Sequence, residues 1–136
     1  MESNKEQLDM LCEKIIGACI RVHQELGPGL LEQAYKEALK IEFHRMGLAF
    51  LAEQDLHLYY FGTELNVVYR YDFLIENTVV LEVKSKEELA PIDIAQTINY
   101  VTIAKKPTAL LVNFNVMKLS DGVRRLFPKR IPVTGL

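Results

Sequence analysis

Apolar residues repeat at intervals of three and four along the first part of the chain, between residues 6 and 26. The repeating positions are Leu8, Cys12, Ile15, Cys19, Val22 and Leu26. This spacing predicts an amphipathic helix. The sequence Gly27-Pro28-Gly29 should end the helix, because glycine accepts the left-handed conformation and proline blocks continuation. A second helix is predicted over residues 30–46, with Gly47 ending it.

The middle of the chain alternates apolar and polar residues, which is typical of β-strands. Strands are predicted at residues 53–61, 65–75 and 78–84, with turns at Gly62-Thr63 and Glu76-Asn77. Three consecutive strands joined by short turns predict an antiparallel meander.

The last part of the chain returns to a helical pattern and then to a strand. A helix is predicted from Pro91 to about Ala104, and the apolar, β-branched run at residues 108–114 predicts a buried strand. A helical crossover would make this strand parallel to residues 78–84. Residues 116–130 are expected to form a short helix or an irregular cover. The chain is therefore predicted to be one α/β (α+β) domain over residues 1–136, with a mixed four-stranded sheet flanked by helices.

Composition fits an ordinary globular protein, with 49% hydrophobic and 25% charged residues. The N-terminal segment is polar, and no apolar run approaches the ~20 residues of a membrane span, so we expect a cytoplasmic protein without membrane contact. Cys12 and Cys19 would lie about 10 Å apart along the first helix, too far for a disulfide. We interpret them as small buried hydrophobes.

Charge is divided unevenly along the chain. Residues 1–100 hold 9 Lys/Arg against 17 Asp/Glu, whereas residues 101–136 hold 7 Lys/Arg against one acid, Asp121. The basic residues of this C-terminal part are Lys105, Lys106, Lys118, Arg124, Arg125, Lys129 and Arg130. A basic segment can follow a phosphate backbone, but charge alone favours an ordinary solvated surface.

The largely apolar residues 72–84 contain the charged residues Asp72, Glu82 and Lys84 in addition to Glu76 in the predicted turn. Desolvating a charge costs several kcal/mol unless the charge is paired or binds a metal. Glu82 and Lys84 are two positions apart and so share one face of a strand. Two carboxylates for a divalent cation, with a lysine beside them, are the chemistry of metal-assisted phosphodiester hydrolysis.

The pattern Asp72-x9-Glu82-x-Lys84 resembles the signature of the PD-(D/E)XK nuclease superfamily. Gln96-Thr-Ile-Asn-Tyr100 is similar to the Gln-x-x-x-Tyr helix signature of its RecB-like branch, and Gly29-Leu-Leu-Glu32-Gln-Ala-Tyr35 resembles the signature of the GxxExxY family placed in the same superfamily. The resemblance extends from about residue 23 to about residue 125 and includes the predicted order of elements. The superfamily's proline is absent, because Tyr71 precedes Asp72.

The resemblance implies a nuclease that depends on Mg²⁺ or Mn²⁺ and acts on nucleic acid, with DNA as the expected substrate. Asp72, Glu82 and the Val83 carbonyl would bind the metal, and Glu32 would supplement them directly or through water. Oxygen ligands favour Mg²⁺ or Mn²⁺ over Zn²⁺, for which the sequence offers no His/Cys cluster.

Further roles follow from the same resemblance. Lys84 would position or deprotonate the attacking water, and Gln96 and Tyr100 would orient Lys84 or the scissile phosphate. Without the resemblance, Gln96 and Tyr100 would be interpreted as paired polar core residues. Likewise, Glu32 would be interpreted as an acid that complements the dipole of a helix N-terminus.

Residues of a second tier complete the candidate set. His23 is retained because its loop could bring it toward Glu32, although a lone histidine there is more often a capping or core residue. Tyr35 and Arg70 are also retained. Lys118, Arg124 and Arg125 are the candidates for nucleic-acid contact.

Two rival interpretations remain open. The domain could be a catalytically silent module that binds nucleic acid or protein while keeping a nuclease fold. An exposed edge strand could instead form a homodimer. The acidic bulk of the chain would repel DNA unless the basic C-terminal segment forms the contact face.

The proposed site places a requirement on strand register. A two-residue turn at Glu76-Asn77 would send Asp72 and Glu82 to opposite faces of the sheet and so prevent a shared metal. We therefore expect a three-residue loop that includes Thr78, a bulge, or a bend of the chain at Asp72.

Overall fold

A computed structural model describes residues 4–129 and contains three helices, seven strands and one 3-10 helix in that range. The helices are α1 (Asn4–Leu26), α2 (Glu32–Met46) and α3 (Pro91–Ile103). The strands are β1 (Phe50–Ala52), β2 (Asp55–Tyr60), β3 (Thr63–Arg70), β4 (Phe73–Ile75), β5 (Val79–Lys84), β6 (Thr108–Asn113) and β7 (Val123–Leu126). The 3-10 helix spans Leu119–Gly122. The helices lie close to their predicted positions, and Gly47 ends α2 in the left-handed conformation, as expected.

Five strands form the main sheet in the order β1-β4-β5-β6-β7. The β5–β6 pair is parallel and is connected through α3, whereas the other neighbours are antiparallel. Every residue of β6, and β5 as far as Val83, is buried, because helices cover both faces of the sheet. The predicted mixed α+β fold is confirmed, with five strands in the sheet rather than four.

Each face of the sheet has its own apolar cluster. The larger cluster joins α1 and α2 to Phe73, Leu81 and other residues of the sheet. The smaller cluster joins α3 to Leu74 and Val80. Cys12 and Cys19 are free and buried, as interpreted from the sequence. No helix within residues 4–129 has the length and apolar character needed to cross a membrane.

The prediction of one continuous strand over residues 65–75, within a meander, is wrong. β3 ends at Arg70 and pairs with β2 in a separate two-stranded ribbon, while β4 begins at Phe73 in the main sheet. The chain bends between them because Tyr71 is buried in the cluster against α3 and the side chain of Asp72 accepts a backbone hydrogen bond from Val83. The edge beside β4 is occupied by β1, which was not predicted.

The C-terminal segment contains a strand that the sequence did not predict. After the 3-10 helix, β7 pairs antiparallel with β6. Gly122 precedes it, and a Cβ there would lie 2.2 Å from the carbonyl oxygen of Asn113, so only glycine fits this approach. The candidate basic residue Arg130 lies outside the described residues.

Candidate active site

The β4–β5 hairpin has the register that a shared site requires. Ile75 pairs with Val79, so the loop consists of residues 76–78, and the Thr78 N–H donates to the Ile75 carbonyl at 3.0 Å. Glu76 and Asn77 both adopt φ values of +51°. The last pair is Phe73 with Leu81, and the next step places Asp72 opposite Glu82. The expected three-residue loop is confirmed, and the chain also bends at Asp72.

Asp72 and Glu82 are linked through each other's backbone. The Asp72 N–H donates to Glu82 Oε2 at 2.6 Å, and the Val83 N–H donates to Asp72 Oδ2 at 2.8 Å. Glu82 is only 3% exposed. Burial raises the pKa of the Glu82 carboxyl well above its usual range, and the negative charge of Asp72 raises it further, although the Asp72 N–H and Lys84 act in the opposite direction. Such a pair favours a proton or a cation.

Lys36 supplies a positive charge at this site and was missed by sequence reasoning. Its Nζ lies 2.9 Å from Asp72 Oδ1 and 3.3 Å from Glu32 Oε1. Burial lowers the pKa of Lys36, but its contacts with Asp72 and Glu32 outweigh burial and raise the pKa above its usual value. The available signal was spacing, because Lys36 lies four residues after Glu32 on the same helix face.

Glu32 is connected to Asp72 through Lys36 and does not join the Asp72–Glu82 pair directly. Its side chain is 40% exposed at the start of α2. Within residues 4–129, no group of three or more His, Cys, Asp or Glu side chains has a metal-binding arrangement. The structure therefore shows a pair of carboxylates, Asp72 and Glu82, and the ammonium group of Lys36 lies between this pair and Glu32.

Tyr35 fixes the turn that precedes Glu32. Its hydroxyl donates to the Gly27 carbonyl at 2.6 Å and accepts the Leu30 N–H at 3.1 Å, while its ring stacks on Phe114 with a centroid distance of 4.6 Å. These contacts anchor the start of α2. The Gly29, Glu32 and Tyr35 spacing therefore has a structural basis: the tyrosine holds the loop from which the acid is presented.

Helix α3 brings two more predicted residues to the site. Lys84 Nζ lies 3.4 Å from Gln96 Oε1. Tyr100 lies one helical turn after Gln96 on the same face of α3. Burial raises the pKa of Tyr100, and the charges of Glu82 and Asp72 raise it further. The structure thus gathers Asp72, Glu82, Lys84, Gln96 and Tyr100 in one region.

His23 and Arg70 make contacts elsewhere. His23 Nε2 lies 2.7 Å from the Val116 carbonyl oxygen, and its ring lies 6.4 Å from that of Phe114. Those contacts are typical of a core histidine. Arg70 Nε lies 2.8 Å from Asp55 Oδ1 across the β2–β3 ribbon, where the arginine supports strand pairing.

The basic candidates are divided between the two faces of the sheet. Glu82, Leu111 and Arg124 are in register across β5, β6 and β7, so Arg124 shares the face of Glu82 about 10 Å away. Arg125 points to the opposite face, where Nη1 lies 2.7 Å from Asp9 Oδ1 of α1. Lys118 is exposed, and its carbonyl accepts the Asp121 N–H at 3.0 Å.

Comparison with known proteins identifies the family. A family model of the PD-(D/E)XK nuclease superfamily matches residues 9–126, which include every element except the first residues of α1. Neither the curated proteins nor the solved structures give a significant match. The matched range contains the hairpin, both helices that flank the site, and all of the residues gathered there. The chain therefore belongs to the PD-(D/E)XK nuclease superfamily.

Proposed function

We propose that the protein is a divalent-cation-dependent hydrolase of nucleic-acid phosphodiester bonds, with DNA as its expected substrate. We further propose that it falls in the GxxExxY family of the RecB-like branch and works in the cytoplasm. The observation that carries the proposal is the pairing of buried Glu82 with partly buried Asp72, with Lys84 two residues along the strand from Glu82.

The donor groups fit Mg²⁺ or Mn²⁺. Asp72 and Glu82 offer carboxylate oxygens, the Val83 carbonyl can add another, and Glu32 can join them through water. A cation bound there would supply Lewis-acid stabilisation of phosphate and would lower the pKa of a bound water. The raised pKa of Glu82 supports this assignment, because a buried, mutually repelling pair gains most from an added positive charge.

The chain's own residues have distinct roles in the proposed reaction. Lys84 places an ammonium group beside the carboxylates, where it can hold the attacking water and offset charge that develops on phosphate. Gln96 accepts a hydrogen bond from Lys84 and thereby fixes the direction of its side chain. Tyr100 lies on the same face of α3 as Gln96, and its hydroxyl can donate to a phosphate oxygen. Arg124, on the face of Glu82, can contact the adjoining backbone.

A second candidate function rests on Lys36. Its ammonium group already contacts Asp72 and Glu32, so the chain itself supplies part of the charge that a cation would bring. That arrangement favours a catalytically silent domain that binds nucleic acid or protein while keeping the nuclease fold.

A homodimer through an exposed strand edge also stays a proposal, and the half-exposed Leu51 of the edge strand β1 is the residue to test.

A cleavage assay distinguishes these functions. Wild-type protein is incubated with labelled single-stranded, duplex and branched DNA and with RNA, in Mg²⁺, in Mn²⁺ and in EDTA. Lys84→Ala is the test variant. Lys86→Ala is its matched control, because Lys86 follows on the same segment but contacts Asp93. Cation-dependent cleavage that is lost in Lys84→Ala and kept in Lys86→Ala supports the hydrolase. Binding without cleavage by any preparation supports the silent domain.

A further inference from the structure

A cleft of about 460 Å³ lies between the β2–β3 ribbon and α3. Its walls combine two aromatic rings, two side-chain amides, a lysine, a threonine and four aliphatic side chains. The aromatic, amide and cationic groups are those of Tyr69, Tyr100, Gln96, Asn99 and Lys129. This volume lies within the range of ~300–1,000 Å³ that is typical of small-molecule pockets. None of the roles proposed above accounts for the cleft as a whole.

The cleft adjoins the proposed active site through Gln96. Gln96 lines the cleft and contacts Lys84, which is the lysine of the Asp-x9-Glu-x-Lys pattern. Tyr100 also lines the cleft and lies one helical turn after Gln96 on the same face of α3. A group in the cleft would therefore lie next to a phosphate held at Lys84.

The side chains of the cleft suit a nucleobase. The rings of Tyr69 and Tyr100 have a centroid distance of 6.1 Å and are inclined at 49°, and Tyr69 is 40% exposed. An exposed aromatic ring provides a stacking surface for any base. Side-chain amides such as those of Gln96 and Asn99 carry both donors and acceptors, as base edges do.

Charge at the rim is suited to the nucleotide backbone. Lys129 donates a hydrogen bond to Asn99 Oδ1 and lines the same cleft. A lysine at that position can contact a phosphate while the base stacks on the exposed face of Tyr69. The mixture of aromatic, amide and cationic groups favours a nucleotide over a purely apolar peptide segment.

We propose that this cleft holds one unstacked nucleobase next to the phosphate bound at Lys84, and that the substrate is therefore nucleic acid with an unpaired nucleotide at the cleavage position. The inference rests on the proposed function and specifies its substrate class. A base within a regular duplex is stacked on both sides and cannot enter the cleft without leaving the helix. Single strands, bulges and branch points present such a base at the lowest cost.

Binding tests the proposal separately from catalysis. Wild-type protein in EDTA is titrated with a fully paired duplex, with the same duplex carrying one bulged 2-aminopurine, and with a bulged abasic counterpart. Fluorescence of the 2-aminopurine reports stacking, and competition gives the affinities. We expect the bulged base to bind about tenfold tighter than the abasic bulge, since only the former has a base that can stack on an aromatic ring.

The variants Tyr69→Ala, Tyr69→Phe and Tyr59→Ala locate the effect. Tyr69→Ala should remove the preference for the base, while Tyr69→Phe should keep it because stacking does not need the hydroxyl group. Tyr59→Ala is the matched control, because Tyr59 lies on the same ribbon, is 59% exposed and is not among the residues that line the cleft. Thermal melting of all three variants checks their folding, and if Tyr69→Ala does not fold, the comparison of bulged and abasic DNA by wild type decides.

The outcomes separate this inference from the proposed function. Cleavage in Mg²⁺ of paired, bulged and abasic DNA at equal rates, with equal binding, overturns the inference and leaves the hydrolase in place. A Tyr69-dependent base preference without cleavage supports base binding in the cleft but overturns the hydrolase, and with it the placement of the unpaired nucleotide at a cleavage position. If Tyr69→Ala instead disrupts a dimer and leaves base binding unchanged, the cleft is a protein interface and the inference is wrong.

Discussion

Glu82 and Asp93 are both nearly buried carboxylates, but their surroundings shift their pKa values in opposite directions. Glu82 is 3% exposed and Asp93 is 7% exposed. Burial raises the pKa of Glu82, and Asp72 raises it further. Burial also raises the pKa of Asp93, but Lys86 at 2.7 Å and the Ala90 N–H at 2.8 Å outweigh burial and hold the pKa below its usual value. The carboxylate at the start of α3 has its partners within the fold.

The difference distinguishes a carboxylate whose charge is compensated within the fold from one that, in the proposed function, would bind a cation. Asp93 anchors α3 by accepting the Ala90 N–H and pairing with Lys86, so its charge is compensated. Glu82 faces a second carboxylate in a buried region, which is costly unless a cation or proton is added. Groups shifted in this way cluster at functional sites. Neutralising each residue should therefore have opposite consequences.

The largest expected effect is on cleavage. If the proposed hydrolase function is right, Glu82→Gln should reduce the single-turnover rate in Mg²⁺ by roughly 100-fold or more, because a cation bound by the pair would lose a charged ligand. Asp93→Asn should stay close to the wild-type rate, since Asp93 contacts Lys86 and the start of α3 rather than the carboxylate pair. Comparable losses in both variants would contradict the distinction between the two carboxylates.

Stability in EDTA should change in the opposite sense. Glu82→Gln should raise the free energy of unfolding by about 1 kcal/mol, because the amide removes the repulsion from Asp72 and its oxygen can still accept the Asp72 N–H. Asp93→Asn should lower the free energy of unfolding by about 1 kcal/mol, because charge-assisted hydrogen bonds become neutral ones. Urea denaturation of both variants measures this. A shift in the same direction for both would refute the comparison.

The contribution of Asp93 to the free energy of unfolding should depend on pH. Its pKa in the folded state lies below the ordinary value of 3.8. Its contribution to stability is therefore complete above the unfolded-state pKa and is lost as the pH falls through the folded-state pKa. The stability difference between wild type and Asp93→Asn should be constant from neutral pH to about pH 5 and should shrink below about pH 4. Urea titrations across this range test it, and a difference that grows on acidification would be inconsistent with the Lys86 pairing.

Arg124 and Arg125 differ in a similar way, since within residues 4–129 only one of these two positively charged side chains has an acidic partner. Their variants should have the weakest effects. Arg125 is paired with Asp9, whereas the hydrogen bonds of Arg124 go to backbone carbonyls, including that of Val123 at 3.1 Å. If DNA binds, Arg124→Ala should reduce the slope of log affinity against log salt by about 1. Arg125→Ala should leave the slope unchanged and reduce stability slightly. Equal slopes for wild type and both variants would show that β7 is not a contact surface.

The sequence was most informative where chemistry and periodicity agreed. The requirement that Asp72 and Glu82 share a face predicted a three-residue loop, a bulge or a bend at Asp72, and the structure has both the loop of residues 76–78 and the bend. The crossover predicted the parallel pairing of β5 with β6. The helical stripes predicted α1 and α2 because each buries an apolar face. These features follow from local spacing and from one geometrical requirement.

The remaining features depend on contacts between distant segments. The strand break at residues 71–72 cannot be read from alternation, because Tyr71 and Asp72 continue the pattern and turn away only through burial and the Val83 N–H. β1 and β7 are edge strands of three and four residues, too short to show a period. A lysine in a helix is usually exposed to solvent, so the sequence gives no sign that Lys36 contacts Asp72. Only the folded structure brings the two residues together.

The most direct test of the account is cation binding by the carboxylate pair. Mn²⁺ is titrated into wild type, Asp93→Asn and the double variant Asp72→Asn/Glu82→Gln, and thermal unfolding is followed. A cation that binds only the folded state adds about 2.7 kcal/mol at a concentration of about 100 times its Kd. We expect the melting temperatures of wild type and Asp93→Asn to rise with Mn²⁺ and that of the double variant to stay constant. Equal rises in all three proteins would show that Asp72 and Glu82 do not form the cation site.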